Sequence, residues 1–324
     1  MRPFRFGVQT TTATSAGQWR DLVRKVEELG YSTLFLADHY IGPGPVSDRT
    51  FLRPQHLAPI AAMAAAAAWT STLRVGCRVF CVDYHVPAAL AKEAATIDLL
   101  SGGRLELGLG AGTNGGEYAA MGLAFEDAPR RVSKLEEVVA LIKAHSTGEP
   151  IDQDGAHVKV GGYSGLPLPV QRPHPPIMIG GSRKRVLSLA AREADIVSLA
   201  NVPWTPVNDA GLTPPQEALR RSRLVRDAAG ERFAALELES SPYVLEVTGD
   251  AGEALERWAA RLRTAVPEVR AETLRDHPNV LVGSVGEIVE RLRERRETLG
   301  VNYVTVPRKQ IDAFAPVVAE LTGT

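Results

Sequence analysis

The spacing of short apolar segments is the sequence feature that most restricts the fold of this chain. Eight such segments, many of them β-branched, alternate with longer segments in which apolar residues recur every three or four positions, a period typical of helices packed on a sheet. This alternation predicts βα units around a parallel sheet, and eight units in one mid-sized chain favour an α/β fold of the (β/α)8 TIM-barrel type over an open sheet. The predicted strands are residues 4–9, 33–37, 73–80, 104–109, 176–180, 195–200, 236–247 and 302–306.

Length and composition are consistent with one domain. The chain has 324 residues, of which 44% are hydrophobic, so it can bury a sizeable core. Irregular segments rich in Pro and Gly at 40–53, 148–175 and 201–214 are interpreted as insertions after predicted strands 2, 4 and 6. Because no repeat, charged tail or flexible linker separates the predicted elements, we expect a single domain over residues 1–324.

Charge and hydropathy argue against several classes of partner. The net charge of -1 argues against a nucleic-acid surface. The longest apolar run, residues 57–69, is too short to span a bilayer, and the N-terminus has no signal-peptide pattern, so we expect a cytoplasmic protein without a membrane partner. The two cysteines, Cys77 and Cys81, would stand roughly 13 Å apart on one strand, too far for a disulfide. With no His or Cys cluster beside them they form a poor zinc site, and we expect no metal.

Gly110, Gly112 and Gly115 spell G-x-G-x-x-G, the pattern of a dinucleotide-binding loop. In the Rossmann fold this loop follows the first strand, opens a helix at once and is followed about 20 residues later by an acidic residue at the end of a second strand. Here the glycines follow the fourth predicted strand, and the next helix is predicted from about Arg130. We therefore interpret them as part of a barrel loop, in which glycine lets the backbone approach a ligand and expose N–H groups to an anion.

The ends of the predicted strands, where barrel enzymes place catalytic groups, lack the residues of several chemistries. No predicted strand contains the lysine of Schiff-base catalysis, and the first strand offers neither a His pair nor carboxylates for a metal hydrolase. The fourth strand ends in glycine where retaining glycosidases usually carry a carboxylate. These absences favour chemistry carried by a bound organic cofactor.

Two sequence features indicate where such a cofactor would bind. Asp38 and His39 follow the second predicted strand, where an imidazole can exchange a proton near neutral pH; a histidine that only braces the barrel rim is the alternative. Residues 180–182 (Gly-Gly-Ser) lead from the fifth strand into a helix, and three basic residues follow at 183–185. Cations in a first helical turn interact unfavourably with the positive end of the helix dipole, and a bound phosphate would offset this unfavourable interaction. A solvated basic patch is the alternative.

Six stretches of the sequence carry a family resemblance: FRFGVQ, ELGYSTLFLADH, LRVGCRVF, AKEAATIDLLSGGRLELGLGAG, LPLPVQRPHPPIMIGGS and HPNVLVGSVGEIVERL. They resemble the luciferase-like monooxygenase superfamily and, within it, the branch of F420-dependent oxidoreductases. The resemblance spans nearly the whole chain. It implies a (β/α)8 barrel with F420 or, alternatively, FMN across its C-terminal mouth.

The resemblance also implies site residues. It places the active-site histidine at His39 and a non-prolyl cis peptide beneath the cofactor ring at Arg78-Val79. Many relatives carry an aromatic residue, usually Trp, where this chain has Thr113, so the pocket beside the ring is expected to differ from theirs. The implied cofactor-binding residues are Arg78, Val79, Ala111, Gly112, Thr113, Asn114, Gly180, Gly181, Ser182, Arg183 and Lys184.

The resulting hypothesis is an oxidoreductase that transfers a hydride between the F420 deazaflavin and a small organic substrate. His39 would exchange the proton, and Asp38 would orient His39 or set its charge. Two alternatives stay open: an FMN-dependent monooxygenase that uses O2 and a separate flavin reductase, and a non-catalytic flavin-binding protein. The resemblance also implies a homodimer. The sequence does not identify the substrate, and Trp204 in the insertion 201–214 is either a pocket wall or a loop anchor.

Overall fold

The computed structural model describes residues 2–50 and 54–324, except for the side chains of residues 48–50. Residues 51–53 of the predicted insertion 40–53 therefore lie outside the described residues. The strands in the described ranges are β1 (Arg5–Gln9), β2 (Thr33–Leu36), β3 (Arg74–Cys81), β4 (Leu105–Gly110), β5 (Ile151–Asp154), β6 (Lys159–Tyr163), β7 (Ile177–Gly181), β8 (Ile196–Leu199), β9 (Glu237–Ser240), β10 (Val244–Val247), β11 (Val280–Gly283) and β12 (Val301–Pro307).

Helices flank these strands and alternate with them along the chain. No helix in the part of the chain with described coordinates is long and apolar enough to cross a membrane. The helices in the same ranges are α1 (Ala16–Glu28), α2 (Pro45–Thr50), α3 (Pro59–Trp69), α4 (Pro87–Leu100), α5 (Gly115–Ala120), α6 (Ala128–His145), α7 (Lys184–Glu193), α8 (Pro214–Ala229), α9 (Ala251–Leu262), α10 (Ala271–Arg275), α11 (Val285–Leu299) and α12 (Ile311–Leu321).

Eight of the described strands form a closed parallel barrel, in the order β1-β12-β9-β8-β7-β4-β3-β2. The predicted α/β TIM barrel is therefore confirmed, and each of the eight predicted segments overlaps one barrel strand. The predicted insertion at 148–175 follows α6 and not, as was expected, the end of β4, and it contains an antiparallel hairpin of β5 and β6. The insertion at 201–214 is an irregular loop between β8 and α8.

The seventh predicted strand, residues 236–247, is wrong as a single strand. Its first part, β9, joins the barrel, whereas its second part, β10, pairs in parallel with β11 outside the barrel. Pro242 lies between the two, and because proline has no N–H to donate to a strand ladder, it favours an end to the barrel pairing there. The segment from β10 to β11 is an insertion between the seventh barrel strand and the predicted helix α11, and it was not expected from the sequence.

Contacts divide the chain into two compact units. Unit 1 consists of Met1–Val8, Glu28–Ser32 and Gly181–Thr324, and unit 2 of Gln9–Glu27 and Thr33–Gly180. The single domain over residues 1–324 stays a prediction.

Each unit has its own buried apolar residues. In unit 2, β2 and β4 contribute fully buried leucines such as Leu34, Leu36 and Leu107, and burying a side chain of this size contributes about 1.5–3 kcal/mol. In unit 1, a separate cluster forms where β10 and β11 pack on α9 and α10, and Trp204 and Trp258 pack against it. The members of this cluster are Val244, Ala254, Leu255, Ala259, Val269, Leu274, Val280 and Val282.

Candidate active site

His39 lies shortly after β2 and is held by a carboxylate from a distant segment of the chain. Its Nδ1 is 2.7 Å from Glu117 Oε2, and the backbone N–H of Tyr40 donates to Glu117 Oε1 at 2.8 Å. The Glu117 side chain is fully buried, whereas 31% of the His39 side chain is exposed. His39 Nε2 makes no hydrogen bond to any residue that the structure describes. The imidazole is therefore fixed at one nitrogen and open at the other.

Hydrogen bonds keep Glu117 ionised. Burial by itself would raise the pKa of Glu117, but hydrogen bonds from the His39 ring and the Tyr40 backbone outweigh burial and lower this pKa below its usual value. An ionised carboxylate only accepts hydrogen bonds, so the proton of the contact is on His39 Nδ1. Any proton that His39 exchanges with a ligand is therefore carried by Nε2.

Asp38 contacts a different histidine. Its Oδ2 accepts a hydrogen bond from the Cys81 backbone at 2.9 Å and lies 2.8 Å from His85 Nε2. Both partners belong to the end of β3 and the segment after it. The predicted role of Asp38 in orienting His39 is therefore corrected: Glu117 contacts His39, and Asp38 ties the end of β2 to the segment that follows β3.

The short helix α5 carries Glu117 to His39. The side-chain oxygen of Asn114 accepts hydrogen bonds from two backbone N–H groups of the first turn, at 3.1 and 3.3 Å, and so caps the helix. Tyr118, the residue after Glu117, is fully buried, and its hydroxyl donates to Asp83 Oδ2 at 2.8 Å. The cap at one end and the Tyr118 anchor at the other fix the position of Glu117.

Arg131 of α6 holds the loop after β4, which is the predicted ring-binding loop. Its guanidinium donates to the carbonyl oxygen of Ala111 at 3.0 Å and also to that of Gly112. The same guanidinium stacks on Phe125, 4.0 Å from the ring centroid. The Asp127 carboxylate caps the N-terminus of α6, which fixes the turn that carries Arg131. The carbonyl groups of the loop are thus turned toward α6.

Protein atoms fill the space beside the glycines of β4 and its loop. A Cβ on Gly110 would stand 2.6 Å from Val79 Cγ2, and one on Gly112 would stand 2.9 Å from Cys81 Sγ and overlap the Tyr118 hydroxyl. Gly112 also has a φ of +73°, which L side chains rarely adopt. The close approach that requires glycine at positions 110 and 112 is therefore to the chain itself, and binding of a ligand by the backbone N–H groups of this loop stays a prediction.

The cis peptide predicted at Arg78-Val79 is present. It lies where the pairing of β3 with β4 shifts register, between Cys77 and Phe80. Gln9 Nε2 donates to the Arg78 carbonyl oxygen at 3.4 Å, and Arg78 Nη1 donates to Gln9 Oε1 at 3.2 Å. Arg78 and Val79 are both partly exposed, as residues in contact with a ligand have to be.

The predicted anion loop joins the end of β7 to α7. Gly180 and Gly181 are the last residues of β7, Ser182 follows, and Arg183 is the N-cap residue of α7. The Arg183 side chain does not cap the helix, so no N-cap side chain satisfies the N–H groups of its first turn. Arg183 and Lys184 are exposed and make no ion pair with the residues described. First-turn N–H groups and two unpaired cations are donors that suit a phosphate.

Trp204 is a loop anchor. Its ring stacks on His277 within unit 1, with the ring centroids 4.3 Å apart. Burial lowers the pKa of His277 to about 4, so this ring is neutral near pH 7. His277 Nδ1 accepts from the Asn279 backbone, so Nε2 carries the proton and donates to the Pro203 carbonyl oxygen at 3.2 Å. Of the two alternatives for Trp204, the structure favours the anchor.

Three residues that hold the site together, Glu117, His85 and Arg131, are not among the site residues predicted from the sequence. A local signal existed for Glu117 only, because Asn114-x-x-Glu117 has the spacing of a capping pattern at a helix start. The contacts of His85 and Arg131 have no sequence signature, because they depend on the packing of distant segments.

The predicted site residues of each unit fit one part of a flavin-like cofactor that carries a phosphate. The fixed His39 ring and the partly exposed residues Arg78 and Val79 belong to unit 2. The uncapped start of α7 with its unpaired cations suits a phosphate. Among the residues with described side chains there is no cluster of three or more His, Cys, Asp or Glu groups that could hold a metal ion.

Comparison with known proteins gives one family match and several partial relatives. The family model described as luciferase-like monooxygenase matches residues 1–303. Uncharacterised proteins of Mycobacterium tuberculosis and Mycobacterium bovis are 32% identical over 185 residues, which is 53% of this chain and 64% of each relative. The match therefore spans less than two thirds of the length of these curated relatives.

Solved structures share the fold at low sequence identity. The coenzyme F420-dependent tetrahydromethanopterin reductase of Methanopyrus kandleri has a TM-score of 0.77 and 18% identity, over 98% of this chain and 99% of the other. A monooxygenase of Streptomyces bottropensis has a TM-score of 0.73 and 23% identity, over 98% and 99%. The EDTA monooxygenase of a Chelativorans species has a TM-score of 0.75 and 15% identity, over 98% and 94%. These similarities show the fold, and the family match shows that the chain belongs to the luciferase-like monooxygenase family.

Proposed function

We propose that this chain is an oxidoreductase that uses the deazaflavin coenzyme F420 for hydride transfer to or from a small organic substrate. The observation that carries the proposal is the His39 ring, held at Nδ1 by the buried Glu117 carboxylate and open at Nε2. An F420-dependent reductase of the same fold supports the coenzyme. When bound, F420 supplies or accepts the hydride at C5 of its ring.

A proton donor at His39 is what carbonyl reduction needs. A hydride that reaches a carbonyl carbon leaves negative charge on the oxygen, and a placed general acid typically contributes 10²–10⁴-fold to the rate. The hydrogen bond to Glu117 keeps a proton on His39 Nδ1. His39 Nε2 is therefore the atom that donates a proton to the substrate oxygen or, in the oxidation direction, removes the hydroxyl proton. His39 is the proposed catalytic residue, and Glu117 is the residue that positions it.

The remaining predicted site residues take binding and supporting roles in this proposal. Residues 78–79 and the loop 111–114 contact the cofactor ring, and residues 180–184 bind its phosphate. Asp38 acts indirectly, because its carboxylate is already engaged by Cys81 and His85. A homodimer and a cytoplasmic location stay predictions, which gel filtration and cell fractionation would test.

Fluorescence titration of the apoprotein with F420 and with FMN tests the choice of coenzyme. We expect F420 to bind and the loaded protein to oxidise or reduce members of a panel of small alcohols and ketones. Binding of FMN alone, with O2-dependent turnover once a flavin reductase is supplied, would replace the proposal by a flavin monooxygenase. Binding without turnover of any kind would favour a non-catalytic flavin-binding protein.

His39→Ala separates catalysis from binding. We expect F420 affinity within a few-fold of wild type and turnover lower by at least about a hundredfold. His157→Ala, in the hairpin of β5 and β6, is the matched control, because its ring makes no hydrogen bond to any described residue. Turnover of His39→Ala within a few-fold of the control would show that His39 only braces the rim.

A further inference from the structure

A small cavity in unit 1 is lined by residues of α8, α11 and the barrel strands β8, β9 and β12. It has a volume of about 30 Å³, and every described residue that lines it belongs to unit 1. Ser198 donates to Glu239 on one face of the barrel sheet. Because side chains alternate along a strand, Ser240 points to the other face, where it lines the cavity. A space of this volume holds about one or two groups of the size of water.

Arg295 of α11 brings a positive charge to this cavity without a carboxylate partner. Its Nη2 donates to the carbonyl oxygens of His277 at 3.0 Å and Val280 at 2.7 Å. Its Nε and Nη1 make no hydrogen bond, and its guanidinium no ion pair, to any residue that the structure describes. Burial and the nearby Arg291 lower the pKa of Arg295 to about 9, and Glu294 offsets only part of this shift. Arg295 is therefore a cation near pH 7, and a buried cation is costly unless an opposite charge compensates it.

The other polar groups that line the cavity are also hydrogen-bond donors. Arg221 shares the single Glu217 carboxylate with Arg220, so one negative charge serves two guanidinium groups. The Ser240 hydroxyl makes no hydrogen bond to the residues described, and the side-chain oxygen of Asn279 already accepts from a backbone N–H. No carboxylate is among the described residues that line the cavity. A lining with donors and positive charge but no acid suits an anion.

We propose that this cavity binds a small inorganic anion of the size of chloride, held by the Arg295 guanidinium and the Ser240 hydroxyl. Water would also accept hydrogen bonds from the free N–H groups, but only an anion compensates the charge of Arg295. The bound anion joins α11 to β9 and has no part in the proposed hydride transfer. Because it binds the folded chain and not the unfolded one, chloride stabilises the protein.

Urea unfolding in mixtures of sodium chloride and sodium gluconate at constant ionic strength tests the proposal. Gluconate is too large for a space of about 30 Å³. A tenfold rise in chloride concentration should lower the unfolding equilibrium constant by up to about tenfold. An unfolding constant that does not change with chloride would overturn the proposal.

Bromide locates the anion, because its anomalous X-ray signal distinguishes it from water. In crystals soaked in sodium bromide we expect an anomalous peak in the cavity, within hydrogen-bond distance of Arg295 Nε or Nη1. An ordered water at this place, without an anomalous signal, would show that the free N–H groups are hydrated and that the site is not an anion site.

Arg295→Met identifies the group responsible. This variant loses the hydrogen bonds to the 277 and 280 carbonyl groups, so it should be less stable in every buffer, but its unfolding constant should no longer depend on chloride. Ser240→Ala leaves these bonds intact and should bind chloride roughly tenfold more weakly. Arg263→Gln, which removes an exposed, unpaired arginine of unit 1 outside the cavity, is the matched control and should keep the wild-type dependence. Wild-type chloride dependence in Ser240→Ala or in a folded Arg295→Met would overturn the cavity assignment and leave the proposed function standing.

Discussion

Gly112→Ala tests whether the loop after β4 requires glycine for packing. The added Cβ would overlap the Tyr118 hydroxyl and stand 2.9 Å from both Cys81 Sγ and Tyr118 Cζ. The φ of +73° is unfavourable for alanine. A left-handed conformation costs about 1–2 kcal/mol, and overpacking costs about 1–3 kcal/mol. We therefore expect the variant to lose about 2–5 kcal/mol in free energy of unfolding.

Gly122→Ala is the matched control. Gly122 has nearly the same φ, +74°, but no atom lies within 4 Å of the added Cβ. This variant bears only the conformational cost, and the lower entropy of its unfolded chain offsets about 0.4–1 kcal/mol of it. Urea unfolding followed by circular dichroism measures both variants, and an unchanged slope shows that the free energies are comparable. The difference between the two losses isolates the overlap at Gly112.

A Tyr118→Phe background identifies the atom responsible. Because this substitution removes the hydroxyl that the new Cβ would meet, Gly112→Ala should cost at least about 1 kcal/mol less in it than in wild type. The reasoning would be refuted if Gly112→Ala were no more destabilising than Gly122→Ala. The loop would then relax without cost, and packing would not explain the glycine.

The other predictions concern catalysis, pH and thiol reactivity. Glu117→Gln should keep F420 affinity within a few-fold and lower kcat about 10- to 100-fold, because a neutral amide holds His39 less firmly than a carboxylate; an unchanged kcat would remove the positioning role. Burial opposes ionisation of Glu27, but hydrogen bonds from residues 71–73 prevail and lower its pKa to about 2. The stabilisation of the folded protein by the ionised Glu27 carboxylate is then complete above about pH 5 and is lost as the pH falls toward about 2. Glu27→Gln should thus have a free energy of unfolding about 1–2 kcal/mol below that of wild type at neutral pH, and this difference should disappear in acid. A difference that stays constant with pH in urea titrations would contradict this. Burial raises the pKa of Cys81 to about 11 and that of Cys77 well above its usual value. A thiol reagent near pH 8 should therefore label the folded protein at least about tenfold more slowly than the unfolded chain, and rapid labelling of the folded protein would count against this.

The barrel could be predicted because its strands are short apolar runs set between helical patterns. In β4 the apolar residues Leu105, Leu107 and Leu109 indicate a buried strand, although the burial of Glu106 between them could not be predicted from the sequence. α5 was not predicted, because a six-residue segment that begins with two glycines has little helix propensity of its own. The Asn114 cap and the buried Tyr118 support α5, and the second of these is a tertiary effect.

Part of the site could be predicted from strand positions and part from the family resemblance. His39 was chosen because it follows a predicted strand directly, whereas the cis bond at Arg78-Val79, which the structure has, was implied by the resemblance. The partner of His39 was not predictable, since Glu117 is 78 residues away. Asp38 was the obvious candidate by adjacency, but successive side chains along an extended chain point in opposite directions. The two neighbours therefore meet different partners.

The hydrogen bonds of Glu117 to the His39 ring and to the Tyr40 backbone limit how segments of this protein can be exchanged with those of its relatives. The segment after β2 and the segment after β4 have to be exchanged together, although they are far apart in sequence. We expect a chimera that takes only one of them from a relative to keep the fixed ring only if it has both a histidine at position 39 and a carboxylate at position 117. Thr113 is exposed and lies outside this contact. If the proposed function holds, directed evolution of substrate range can begin at Thr113 without disturbing the contact between His39 and Glu117.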